Sequence, residues 1–86
     1  MSIQDLSQQF KELKNKIAET MKLLKIDDKK TELKVLDMEM SEQGFWDNQD
    51  EAREVSQRAS DLREEIERWS KIKKETEELL GLAESG

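Results

Sequence analysis

The stretch Phe45-Trp46-Asp47-Asn48-Gln49-Asp50-Glu51-Ala52 opens a run that continues to Leu80 without glycine or proline. Such a run reads as one helix. From Ala52 its inward positions recur at steps of three and four: Ala52, Val55, Ala59, Leu62, Ile66, Trp69, Lys73, Thr76 and Leu80, which keeps them on one side. A helix over about residues 48–80 would be roughly 50 Å long, too long to rest on local propensity. The rest of the chain has to supply a partner along that stripe.

Immediately before the run, Gly44 can take the left-handed conformation that ends a preceding helix, and the chain turns there. Asp47 or Asn48 then caps the long helix, with Asp50 or Glu51 at the third helical position. Phe45 and Trp46 beside the cap are expected to plug the end of the fold, because two adjacent exposed aromatics would be costly. Upstream of the turn a second helix is expected over about residues 28–42, with Leu33, Leu36 and Met40 on one face and Val35 and Met38 flanking. Before it, Ser2 and Asp5 look like a capping pair, and Ile3, Leu6, Phe10, Leu13, Ile17, Met21 and Leu24 repeat at helical spacing, giving a first helix over about residues 2–25. Ile26-Asp27-Asp28 is the first break, with an Asp as cap, although no Gly or Pro enforces it and one kinked helix through residues 24–30 is the alternative.

The fold class is therefore all-α: an antiparallel three-helix bundle or long helical hairpin with coiled-coil-like packing, in which the first and third helices share the main seam. The expected core is Leu6, Phe10, Leu13, Ile17, Leu24, Leu33, Leu36, Met40, Trp46, Val55, Leu62, Ile66 and Trp69. Gly81 is expected to close the long helix, so that residues 1–82 form the helical domain and 83–86 begin a linker or the cut end of a longer chain.

Composition narrows function sharply. The 86 residues are 42% charged with a net charge of −6, and they include no Pro, Cys or His. Thiol nucleophiles, imidazole bases, disulfides and thiolate or imidazole metal ligands are all excluded. The doublets Asp27/Asp28, Asp50/Glu51, Glu64/Glu65 and Glu77/Glu78 point about 100° apart on a helix and do not converge, so they read as solvated faces. Met21, Met38 and Met40 read as core filler and Lys73 as a side chain reaching past the core. No catalytic, cofactor-binding or metal residue is expected. No apolar run approaches the roughly 20 residues of a membrane span, and the chain is read as soluble and cytoplasmic. Residues 31–70 carry five basic and twelve acidic side chains. That surplus argues against broad RNA or DNA contact and leaves only the Lys clusters at residues 11–16, 22–30 and 71–74 for a local one.

The pair Lys29-Lys30, then Leu33, Met40 and the turn Phe45-Trp46-Asp47-Asn48-Gln49-Asp50-Glu51-Ala52, leading into a helix bearing Leu62 and Trp69, resembles the N-terminal domain of bacterial peptide chain release factor 2, a class-I release factor. That family hydrolyses peptidyl-tRNA with a Gly-Gly-Gln loop and reads stop codons with a Ser-Pro-Phe tripeptide. This chain has no Gly-Gly and no proline. The resemblance therefore implies a non-catalytic domain of a translation termination factor, without cofactor, membrane or DNA. It further implies that the domain contacts the stalk base of the large ribosomal subunit and has a functional link to the class-II release-factor GTPase. With the acidic middle of the chain, a protein-mediated contact is expected. Two readings from other classes compete: a free-standing coiled-coil adaptor, and the helical arm of a tRNA-handling enzyme, for which a more basic surface is expected. A reading frame continuing past Gly86 into those two motifs separates the first reading from the adaptor.

Overall fold

A computed structural model describes residues 2–85. Among them are three α-helices, α1 (Ile3–Leu23), α2 (Ile26–Met40) and α3 (Gln49–Ser85), with a single 3₁₀ turn over Phe45–Asp47 before α3. No strand occurs among the described residues. At 37 residues, α3 is roughly 55 Å long.

Helix starts follow local chemistry. At Ser2 the hydroxyl accepts from the Asp5 N–H at 3.2 Å while the Ser2 N–H donates to the Asp5 carboxylate at 3.4 Å, the reciprocal pair that satisfies two otherwise orphaned donors. Asn48, rather than Asp47, caps α3: its side-chain oxygen accepts from the Glu51 N–H at 3.2 Å. The break between α1 and α2 is only two residues long, and it falls at Leu24-Lys25 instead of at Ile26-Asp27-Asp28. Lys25 supplies the bend by adopting φ 56°, ψ 47°, a left-handed conformation that costs a non-glycine residue roughly 1–2 kcal/mol. No side chain caps α2. Asp27 and Asp28 lie inside its first turn, where their charge faces the positive end of the helix.

The chain divides into two compact units, each containing its own stretch of α3. Unit 1 comprises residues 1–24 and 68–86, so that α1 shares it with the second half of α3. It buries Ile17 from α1 and Thr76, Leu80 and Ala83 from α3. The Thr76 hydroxyl donates to its own helix at the Ile72 carbonyl, 2.9 Å away, so a buried polar group is satisfied without a partner from elsewhere. An ion pair, Lys11–Glu84 at 3.6 Å between half-exposed side chains, and a groove that Ile3 and Gln4 line together with Ala83 and Glu84 place the first half of α1 beside the end of α3, an antiparallel order. Unit 2 is residues 25–67: α2, the 3₁₀ turn and the first half of α3. It buries Ile26, Ala52, Ala59 and Leu62.

The seam expected between the first and third helices is therefore shared out: α1 has residues 68 onward of α3 and α2 has residues up to 67. A helix with one partner buries only a narrow strip. Leu6 and Leu13, expected in the core, are accordingly exposed, while Phe10, Leu24, Leu33, Leu36, Met40, Val55, Ile66 and Trp69 are half-buried and Ile17 and Leu62 are buried. On α3 the stripe passes from Trp69 through half-buried Ile72 to Thr76, and Lys73 is exposed. A step of three keeps an apolar side chain inside and leaves the ammonium in water, where its charge is solvated.

Gly81 does not close α3, which continues to Ser85 and buries Ala83. Nothing lies within 4 Å of a Cβ built at Gly81, so Gly81→Ala is expected to raise stability by roughly 0.5–1 kcal/mol through the lost backbone freedom of the unfolded chain. Gly44 is the opposite case. It sits at φ 86°, with a Cβ meeting the Asp47 carboxylate at 3.3 Å, and Gly44→Ala should cost roughly 1–2 kcal/mol. Thermal melts of the two variants, moving in opposite directions, check both statements.

Candidate interaction surface

The residues that remain available for a partner are those the fold does not use. In unit 2 three cross-helix ion pairs bind α2 to α3. Lys29 Nζ reaches both oxygens of Glu65 at 2.8 and 3.0 Å, with both side chains only about a quarter exposed, at 25% and 28%. Arg58 donates from Nε and a terminal nitrogen to the two oxygens of Glu32 at 2.6 and 3.1 Å, and Arg63 donates to Asp37 at 2.8 Å. The guanidinium of Arg58 holds the Glu32 carboxyl below its ordinary range, and Glu32 in turn raises Arg58. These two arginine pairs are solvent-exposed, so they fix which faces meet more than they stabilise.

Two sequence expectations change as a result. Lys29, counted among the free cations of residues 22–30, is committed to Glu65 and partly covered. Trp46, expected to plug the end of the fold, is 59% exposed. Phe45 takes the inward place, half-buried, and meets the Trp46 ring edge-on with centroids 4.9 Å apart and planes at 84°. In a 3₁₀ turn consecutive side chains point about 120° apart, so adjacent aromatics cannot both face inward. Trp46→Ala should therefore cost below about 1 kcal/mol, the range of a surface substitution, instead of the ~3–5 expected of a buried ring; equilibrium denaturation measures the difference.

Charge is distributed unevenly. Unit 2 holds seven basic and fourteen acidic side chains, a net −7, whereas unit 1 holds eight basic and seven acidic, a net +1. Within unit 1, Lys14, Lys16, Lys22, Lys71, Lys73 and Lys74 are exposed. Beside the acidic charge of unit 2 stand three exposed apolar side chains, Val35 at 49%, Met38 at 68% and Trp46 at 59%. The low periodicity of α2 foreshadows this: Leu33, Leu36 and Met40 turn inward, which leaves Val35 and Met38 on the other side.

The carboxylate doublets stay on helix faces, and no group of three or more potential metal ligands lies together among the described residues. A shallow groove in unit 1, lined by Ile3, Gln4, Ser7, Gln8, Lys11, Ala83 and Glu84, is mostly polar, with Ile3 and Ala83 as its apolar members. No helix among the described residues is long and apolar enough to cross a membrane.

Against known proteins, no protein-family model matches the chain and no solved structure does. Curated relatives do match, three of which follow. The chain is 34% identical over 79 residues to peptide chain release factor 2 of Petrotoga mobilis, covering 92% of this chain and 20% of that protein. It is 36% identical over 63 residues to peptide chain release factor 2 of Thermosipho melanesiensis and 35% identical over 63 to that of Thermosipho africanus, in each case 73% of this chain and 17% of the relative. The chain thus spans about a fifth of the length of the relatives it matches.

Proposed function

This chain belongs to the peptide chain release factor 2 family, as a stretch of its helical N-terminal domain, and from that premise we propose that it serves stop-codon-dependent peptide release as a non-catalytic docking domain of a cytoplasmic termination factor. The observation that carries this reading is the similarity over 92% of the chain to peptide chain release factor 2 of Petrotoga mobilis. Both units, with α3 running on to Ser85, serve as that docking domain, and stop-codon reading and hydrolysis would reside in other parts of the factor. Its partner is the ribosome, at the stalk base of the large subunit, and by its placement there it influences the class-II release-factor GTPase.

Charge decides the chemistry of that contact. A net −7 over residues 25–67 is repelled by rRNA phosphates and attracted to a basic ribosomal protein. Any RNA contact is confined to the exposed lysines of α1 and to Lys71, Lys73 and Lys74. Affinity of this chain alone is low, because a longer factor gains avidity from further domains bound at the same time. The test is titration of the chain against the stalk-base protein and against its naked rRNA segment at several salt concentrations. Saturable binding to the protein supports the reading. Tight binding to naked RNA with a steep salt slope, and none to the protein, overturns it.

A further inference from the structure

We propose that the outer face of α2, centred on Val35 and Met38, is the docking surface for a basic protein segment that presents an apolar side chain between Lys or Arg residues. The inference deepens the functional reading above and rests on it. Val35 and Met38 are three residues apart, hence neighbours on one helix face, and they are 49% and 68% exposed. Unit 2 has no folding use for them: its inward face is filled by Ile26, Leu33, Leu36 and Met40, and the margins of that face are held by Lys29–Glu65, Arg58–Glu32 and Arg63–Asp37.

Charge complementarity identifies the occupant. Those ion pairs engage Glu32, Asp37 and Glu65, so Lys29, Arg58 and Arg63 neutralise the margins of the seam and not the outer face. Glu39, one helical turn after Val35, and Glu42, two residues past the end of α2, are exposed and enter none of these pairs. Between residues 31 and 42 Lys34 is the only basic side chain, against the four acids Glu32, Asp37, Glu39 and Glu42. An apolar centre with a carboxylate rim matches a cationic partner: the apolar pair supplies desolvation, and the rim sets approach and register. Methionine suits such a centre, since its unbranched, polarisable side chain adapts to the partner's shape. Trp46, exposed eight residues further along, lies beyond the face and serves as the internal comparison.

The experiment measures binding of the 86-residue chain to purified large ribosomal subunits, with the isolated stalk-base protein as second probe. Val35→Ser/Met38→Gln removes the apolar centre. Both positions are exposed, so its circular dichroism melt should superimpose on that of the parent, and Met38→Gln alone is the reserve variant should the double one melt early. The expected result is affinity weakened by about tenfold or more, the effect of losing a central anchor. Glu39→Lys/Glu42→Lys should weaken binding further at low salt and flatten its salt dependence. Parent-like affinity of Val35→Ser/Met38→Gln, with loss only for Trp46→Ser, overturns the docking face while the functional reading stands. Failure of the parent chain to bind subunits or protein at all overturns both. Should sedimentation show a dimer of the parent that Val35→Ser/Met38→Gln dissolves, the face is covered by a second copy and the proposal of a basic partner fails.

Discussion

Leu62→Ala is expected to cost about 2–5 kcal/mol and to leave much of the chain unfolded near room temperature. The side chain is 1% exposed, the middle of the three residues at which α3 is most completely covered in unit 2 being Ala59 and the last Leu62 itself. Neighbouring inward positions are Ala52 and Ala59, which bring backbones close and leave the one large residue among them to fill the space. Removing it opens a cavity that two rigid helices cannot collapse into. A domain of this size has only a few kcal/mol of net stability, so the same loss that a large protein would tolerate is decisive here. Urea denaturation followed by circular dichroism measures it, and a midpoint within experimental scatter of the parent would disprove the packing of unit 2.

Ile26→Ala should be as severe, about 2–5 kcal/mol, for a different reason. Ile26, also 1% exposed, is the first residue of α2 and follows directly on the left-handed Lys25. No side chain caps α2, so its start is held by burial of this residue and by the backbone bond from the Lys29 N–H to the Lys25 carbonyl at 3.0 Å. Loss of the isoleucine thus removes both a core side chain and the anchor of a strained turn. Ile26→Val, which keeps most of the volume, should cost only about 0.5–1.5 kcal/mol. Equal melting of the alanine variant and the parent would show that the break is held by something else.

Ile26 also marks how far the sequence is legible. The long helix is plain from spacing alone, its cap is narrowed to Asp47 or Asn48, and the capping pair at Ser2 and Asp5 is plain as well, because these depend on residues within a few positions of one another. The break before α2 is not, since it is made by a lysine in a conformation that favours glycine, and only burial of the next residue compensates that cost. Burial itself is harder still to read. Leu6 and Leu13 satisfy the helical spacing of a core stripe, yet width of burial depends on how many partners a helix has, which periodicity does not encode. The interaction surface shows the same division. An acidic middle is visible in a count of charges, whereas the commitment of Lys29 to Glu65, 36 residues away, appears only when the seam forms. That Phe45 faces inward and Trp46 does not has no sequence signal, because both rings are equally suited to burial and the 3₁₀ turn selects one.

The chain contains two tryptophans, and the division at residue 67 assigns Trp46 to unit 2 and Trp69 to unit 1. Each unit therefore contains one indole of its own, the first largely in water and the second half-buried. In a single-tryptophan background, with the other replaced by phenylalanine, fluorescence reports one unit at a time: emission and quencher access at Trp69 follow the pairing of α1 with α3, and those at Trp46 follow the turn after α2. Coincident transitions from the two backgrounds would mark one cooperative structure, and separated transitions two that melt in sequence along a shared helix.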